Sequence, residues 1–379
     1  MPERLVVIFH HSPQRGAGPL TRVLGDVRRR LAEYHVELFT QAGADRVLLL
    51  SGGPGSPDGG ASFGERLATV VAQERPGGVV ILGSGSVPLL HLGDARSLVD
   101  TASARQPAAL TNNRFSSDVC AVSLAGVLER LPSLPSDNAL PRWLEERAGY
   151  PVHELAARDR LALDIDTPQD AAIASLAPGV PAMLRTTVDA LGLQVPRLAE
   201  LRALAASPRA EMLVHGRAGS ATLRWLERHA RCRVRFLAEE RGLRASSAVA
   251  MKARPTPPAR APRSALGRLL ERDGPSALAG LVAELGDGAL IDSRVLLADH
   301  LGGDEAEWPS AEDRFASDLL RPGDVRDPWL RALTASAQDA QGPILLGGHT
   351  LVAAGPRILL RPGMPPRAPR ALGRVPALR

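Results

Sequence analysis

Short apolar runs alternate with longer stretches of helical periodicity through the first half of the chain. Leu5 to Phe9 reads as a strand, Leu20 to Ala42 as a helix, Arg46 to Ser51 as a second strand, and Phe63 to Glu74 as a second helix after the Gly/Pro loop Gly52 to Ala61. Val79 to Leu82 forms a third strand that exits through Gly83 to Pro88. Ala108 to Leu110 and Val119 to Ser123 are further short strands, and Leu140 to Ala148 is a helix. Val152 to Leu155 then leads to a terminal strand, Leu161 to Asp166. Apolar strands interleaved with helices predict an α/β domain with a largely parallel sheet. Ligands of such sheets gather outside the carboxyl ends of the strands.

Beyond Pro178 the texture changes. Pro181 to Ala206 reads as helical, and Glu211 to His215, Ser220 to His229 and Val234 to Leu237 make a strand, helix, strand unit. The prolines of Ala253 to Arg263 favour an extended linker or exposed loop. After it come a helical stretch, Ser264 to Leu285, a mixed strand and loop over Ala289 to Ala298 carrying Asp292, and a strand over Pro343 to Ala353 around Gly347, Gly348 and His349. The fold class is therefore α/β throughout: a three-layer domain over 1–178, a second α/β domain of unassigned type over 179–360, and a disordered Pro/Arg-rich tail over 361–379.

Composition narrows this picture. A chain of 379 residues is too long for one ordinary core and suits two domains. Its apolar runs fall well short of the roughly 20 residues of a membrane span. The start, MPERLVVIFHHS, lacks the pattern of a secretory signal, so a soluble, cytoplasmic protein is expected. Cys120 and Cys232 stand far apart, which leaves neither a CxxC metal site nor a disulfide framework.

The net charge is +5, and Lys252 is the only lysine. Arginine binds phosphate as a fork and keeps its charge, whereas lysine chemistry needs a tunable amine. Schiff-base and P-loop chemistry are therefore disfavoured. Arg254 to Arg272 and the acid-free Arg357 to Arg379 are the most basic stretches, but aromatics are 3% of the chain, too few to interleave as a single-strand binder requires. Nucleic acid and membrane are not expected partners, and oligomeric state is not legible.

The most informative segment is LALDIDTPQDA, Leu161 to Ala171. The predicted strand delivers Asp164 and Asp166 to its carboxyl end, Thr167 caps the following helix, Pro168 takes its first position, and Gln169 and Asp170 fall in its first turn. Carboxylates so placed suit a hard cation such as Mg²⁺ against a nucleotide phosphate. They equally suit a plain helix cap with ion pairs to Arg158 or Arg160.

FGERL at Phe63 to Leu67, VVILGSGSVP after it and the closing LDIDTPQDA, in that order, resemble the glycosyltransferase-A-like nucleotidyltransferases, of the molybdenum-cofactor guanylyltransferase and 2-phospho-lactate guanylyltransferase type. The resemblance covers residues 3–176. It implies transfer of a nucleotidyl group from a purine nucleoside triphosphate to a small phosphorylated acceptor, with Mg²⁺ as cofactor. Within it Asp164 and Asp166 match one metal position. At the other, where the family pattern is GSDSP, this chain has Gly85. Asp118, in TNNRFSSDV, is the candidate replacement ligand. The family's first loop carries basic residues, often a lysine; here Arg15, Gly16, Gly18 and Arg22 supply guanidinium forks and backbone N–H groups instead. Ser84 and Gly85 complete the nucleotide-binding candidates. Glycine at 85 and the missing lysine raise an alternative: a catalytically inactive protein that binds a nucleotide or sugar nucleotide as a sensor or scaffold.

Overall fold

The computed structural model describes residues 3–52, 61–134, 136–156, 160–240 and 263–361. The chain divides into two compact units, Met1–Thr187 and Val188–Arg379.

The first unit runs β1 (Arg4–His10), α1 (Pro19–Gln41), β2 (Arg46–Ser51), α2 (Phe63–Glu74), β3 (Gly78–Gly83), α3 (Leu92–Ala102), β4 (Ala109–Thr111), β5 (Val119–Ser123), α4 (Leu140–Glu146), β6 (Val152–Glu154) and α5 (Pro168–Ser175). The sheet order is β2-β1-β3-β5-β4-β6. β1 pairs in parallel with β2 and β3, and β4 with β6, while β5 runs antiparallel to both its neighbours. The sheet is thus mixed, with a parallel core of three strands.

Alternation along the strands builds three layers. Leu5, Val7, Phe9, Val79 and Ile81 face one way and pack with Leu67 and Val71 of α2 and Leu140 and Leu144 of α4. Val6, Ile8, Val80 and Leu82 face the other way and pack with Ala32, Leu38 and Phe39 of α1 and Leu98 and Val99 of α3. Both faces are covered, so the strands read as continuous apolar runs.

The expected terminal strand Leu161–Asp166 is not one. Only an isolated antiparallel bridge, Ser86 to Asp164, joins it to the turn after β3. Side chains hold it in place of a ladder: Asn112 Nδ2 donates to the Leu161 carbonyl at 2.8 Å and Arg28 Nε to the Ile165 carbonyl at 2.7 Å. α5, which follows, is buried along its whole length. Its PQDAAIAS sequence makes that possible, because small side chains admit close neighbours and the capping box satisfies its first N–H groups. Thr167 Oγ1 accepts from Asp170 N–H at 3.1 Å, and Asp170 Oδ2 accepts from Thr167 N–H at 2.9 Å.

The second unit contains β7 (Glu211–Gly216), β8 (Arg233–Ala238), β9 (Gly288–Asp292) and β10 (Ile344–Gly347) in an all-parallel sheet ordered β10-β9-β7-β8. Four expectations are corrected here. Pro181 to Ala206 is two helices, Ala182–Ala190 and Leu198–Ala206, parted by Gly192 at φ +64° and by Pro196. Ala289 to Ala298 is β9 followed by a helix, Ser293–Leu301, whose first turn Asp292 caps. Pro343 to Ala353 is a strand only to Gly347, since a helix begins at His349. Ser264 to Leu285 breaks at Gly274 into helices Ala265–Asp273 and Leu278–Leu285. The segment 253–262, most of the expected linker, and 362–379, nearly all of the expected tail, lie outside the described residues, as does Arg158. Among the described residues no helix is long and apolar enough to cross a membrane, and both cysteines are free and buried.

Candidate functional site

The carboxyl ends of β1 and β3 lie side by side in register, Phe9 opposite Gly83. Ser84 N–H donates to the Phe9 carbonyl at 2.8 Å, and His10 Nδ1 and Ser84 Oγ lie 3.0 Å apart in a buried hydrogen bond. Burial lowers the His10 imidazole, with His11 and Arg28 adding to the fall, so the ring is neutral at pH 7.

Gly85 follows in the turn. Its carbonyl accepts from Ile165 N–H at 3.0 Å, which brings the Asp164–Asp166 segment against the end of β3. A Cβ at position 85 would stand 2.7 Å from the Ile165 carbonyl oxygen and 2.9 Å from Arg28 Nε. Arg28, on α1, donates from a terminal nitrogen to Asp166 Oδ1 at 2.8 Å. Asp166 is thus paired with Arg28. Arg160 instead pairs with Asp94 at 2.8 Å.

Asp118, at the foot of β5, is gripped by the buried Asn112. Asn112 Nδ2 donates to Asp118 Oδ2 at 2.7 Å, and Asp118 N–H donates to Asn112 Oδ1 at 2.9 Å. Because the same Asn112 amide also bonds to the Leu161 carbonyl, Asp118 and the Asp164 segment are tied through one side chain.

A further carboxylate joins them. Asp137, on a 3₁₀ turn over Asp137–Ala139, feels Asp166, and Asp118 and Asp164 both feel Asp137. Desolvation pushes the Asp118 carboxyl up to about 7 against the bond from Asn112, with Asp137 and Asp166 adding to the rise. Asp137 is pushed up to about 6, again chiefly by desolvation. Asp164 stands well above its ordinary range through desolvation, then through Asp166, Asp118 and Asp137, with Arg28 opposing. Carboxylates that are desolvated and repel one another in this way resist ionising together.

Their oxygens are hard donors of the kind Mg²⁺ takes, but among the described residues no three His, Cys, Asp or Glu side chains are grouped so that they could hold a metal ion. Mg²⁺ commonly takes one or two carboxylates and completes its shell with water and substrate phosphate.

Ser84 and Gly85 lie in the turn after β3, against Phe9 and Ile165 respectively. Gly16, at φ +86°, sits in the turn that Ala17 N–H closes on the Gln14 carbonyl at 3.0 Å, and Gly18 is the N-cap of α1. Arg15 and Arg22 are exposed on either side of that cap. Sequence reasoning missed Arg28 and Asp137. Arg28 is one of many arginines on an amphipathic helix and Asp137 sits in a Pro/Ser turn, so neither carries a local signal.

The second unit has its own charged cluster at the carboxyl ends of β7 and β9. Asp292 is fully buried. Burial would raise its carboxyl, but Arg217, bonded at 2.6 and 3.1 Å, and then Arg294 and His349 hold it below the ordinary range. Gly216 takes φ +122° there, and any Cβ on it would lie 2.3 Å from Asp292 Cβ. Arg294 pairs through both terminal nitrogens with buried Asp318.

No family model matches the chain, and no curated protein does. Among solved structures, the chain is similar to a protein assigned as a nucleotide-diphospho-sugar transferase from Desulfovibrio desulfuricans, at 15% identity and TM-score 0.37, over 50% of this chain and 94% of that one. It is also similar to Rv0371c from Mycobacterium tuberculosis, at 23% identity and TM-score 0.30, over 45% and 95% of the two chains. A cytidylyltransferase from Leptospira borgpetersenii matches at 16% identity and TM-score 0.31, over 50% and 94%.

Proposed function

We propose that the N-terminal unit binds a nucleoside triphosphate at the carboxyl ends of β1 and β3 and transfers its nucleotidyl group to a small phosphorylated acceptor. The observation that carries this reading is the seating of the Asp164–Asp166 segment against the Ser84–Gly85 turn, where Ile165 N–H donates to the Gly85 carbonyl at 3.0 Å and the buried Asn112 bonds both the Leu161 carbonyl and the Asp118 carboxylate.

In this reaction an acceptor phosphate oxygen bonds to the α-phosphorus, the bond from that phosphorus to its bridging oxygen breaks, and pyrophosphate leaves. Such a displacement needs charge neutralisation and in-line positioning more than covalent help. Arg15 and Arg22, exposed at the N-terminus of α1, attract the triphosphate as guanidinium forks. The helix start adds its backbone N–H groups. His10 fixes the Ser84 hydroxyl, and Asn112 fixes Asp118. Mg²⁺, when held by Asp118 and Asp164, supplies the neutralisation that the carboxylates and phosphates require of each other.

One observation favours a second reading, binding without turnover. Gly85 carries no carboxylate and Asp166 is engaged by Arg28, which leaves fewer oxygens for metal. A single experiment separates the two. Purified protein is titrated calorimetrically with GTP, ATP and CTP with and without Mg²⁺, and pyrophosphate release is followed with phosphorylated acceptors. Metal-dependent binding lost in Asp164→Asn, with pyrophosphate released, supports transfer; the same binding without release supports the sensor reading; no binding overturns both.

A further inference from the structure

The parallel sheet of the second unit changes its direction of winding once. From β7 the chain passes to β8 on one side, then crosses to β9 and β10 on the other, so the connections after β7 and β9 leave in opposite directions. In an open parallel sheet that divergence makes a crevice at the carboxyl ends, where ligands bind.

The residues gathered there are charged and joined by hydrogen bonds. Arg217, after β7, bonds through Nε and Nη2 to the fully buried Asp292 at the end of β9, at 2.6 and 3.1 Å. Asp292 also accepts from Arg294 N–H at 3.2 Å, and the Arg294 guanidinium engages the buried Asp318. Ser293 Oγ donates to the Gly347 carbonyl at 3.2 Å, which ties in the end of β10. From there Gly348–Ala353 crosses to the helix Ser220–His229, where Thr222 Oγ1 donates to the Ala353 carbonyl at 2.8 Å. The exposed His349 lies on this crossing.

The two buried carboxylates each have a guanidinium, and Arg217 has donors to spare. Among the described residues its Nη1 makes no hydrogen bond, and its side chain is 22% exposed. The helix Ser220–His229 starts two residues later at Gly219, with no side chain capping its first N–H groups. Room is present as well. A Cβ on Gly219 would meet nothing within 4 Å, nor would one on Gly348, although Gly348 is buried.

We propose that the carboxyl ends of β7 and β9 form a second ligand site, for the phosphoryl group of a small molecule, bound by Arg217, His349 and the first N–H groups of Ser220–His229. Guanidinium forks and open helix starts both suit phosphate oxygens. Asp292 orients the Arg217 fork and does not touch the anion. The site lies wholly in the second unit and is independent of the nucleotide reading of the first.

Calorimetric titration of the full chain with inorganic pyrophosphate, without divalent metal, tests this. Arg15 and Arg22 of the first unit attract the same probe, so the titration uses Arg15→Ala/Arg22→Ala protein. It should bind one pyrophosphate. Adding Arg217→Lys, which keeps a charge beside Asp292 and removes the fork, or His349→Ala, at an exposed position, should each weaken binding about tenfold. Arg228→Ala, in the last turn of the same helix, should bind unchanged, which separates a defined site from general attraction. Circular dichroism establishes that each variant is folded. No pyrophosphate bound by Arg15→Ala/Arg22→Ala, or binding unchanged in folded Arg217→Lys and His349→Ala, would overturn the proposal. If these variants behave as expected while Asp164→Asn leaves triphosphate binding intact, the second site stands and the nucleotide reading fails.

Discussion

Asn112 holds Asp118 from both sides, accepting its backbone N–H at 2.9 Å and donating to its carboxylate at 2.7 Å, while its amide also bonds to the Leu161 carbonyl. Asp118 and Asp164 come from distant parts of the chain, and this one buried amide fixes their approach. Replacing Asn112 with alanine strips the partner from the Leu161 carbonyl and from Asp118, so a loss of about 1–3 kcal/mol is expected in urea denaturation. Metal-dependent nucleotide binding should fall with it. A variant that lost neither stability nor binding would show that the clamp is dispensable.

Gly85→Ala should be costly for a different reason. Its methyl would stand 2.7 Å from the backbone oxygen of Ile165, which cannot rotate away, as well as 2.9 Å from Arg28 Nε. Overpacking of this kind costs about 1–3 kcal/mol. Adding Arg28→Ala should recover only part of the loss, because the backbone clash persists. Full recovery in the double variant, read from thermal unfolding, would mean that the segment 164–166 shifts freely.

Acid should weaken the first unit through His35. This α1 residue is fully buried, and burial lowers its imidazole from 6.5 to about 4. The unfolded chain therefore takes up a proton at higher pH than the folded one. Stability from the neutral ring is complete above pH 6.5 and is lost as pH falls toward 4, a change of roughly 3 kcal/mol for a shift of this size. His35→Leu should flatten that part of the stability profile measured by urea denaturation between pH 4 and 7. An unchanged slope would assign the acid loss to other groups.

Removal of Arg217 should unfold the second unit more readily. Asp292 is 0% exposed and its charge is stabilised chiefly by that arginine. Deleting one member of a buried pair leaves an uncompensated charge, which costs about 3 kcal/mol or more. Three of the four tryptophans, Trp225, Trp308 and Trp329, lie in this unit, so fluorescence-detected denaturation of Arg217→Ala in a Trp143→Phe background reports it. Asp292→Asn in the same chain should restore much of the loss; failure to do so would locate the cost in lost packing by Arg217.

The elements that sequence reading placed well are those whose causes are local. Ser62 with Glu65 and Thr167 with Asp170 close capping boxes three residues apart, so the starts of α2 and α5 were visible in the letters. The strands of the three-layer unit were legible as apolar runs because both faces of the sheet are covered. The errors share a cause as well. Leu161 to Asp166 has the composition of a strand, yet its partner is a tight turn, and side chains of Asn112 and Arg28 supply the bonds that a neighbouring strand would have given.

The candidate site divides in the same way. Hydrophobic periodicity and capping by themselves determined an α/β chain and the helix after Asp166, while the strand expected to carry Asp164 and Asp166 is a bridged segment and Asp118 was singled out through the resemblance. Tertiary structure alone decided that Asp137 joins them, that Arg28 engages Asp166 across 138 residues of sequence, and that Gly85 is the space this arginine needs. Periodicity and caps are interactions over three or four residues and are written in order along the chain. Pairing between charges far apart in sequence depends on which strand ends meet, and that is set by the packing of the whole sheet.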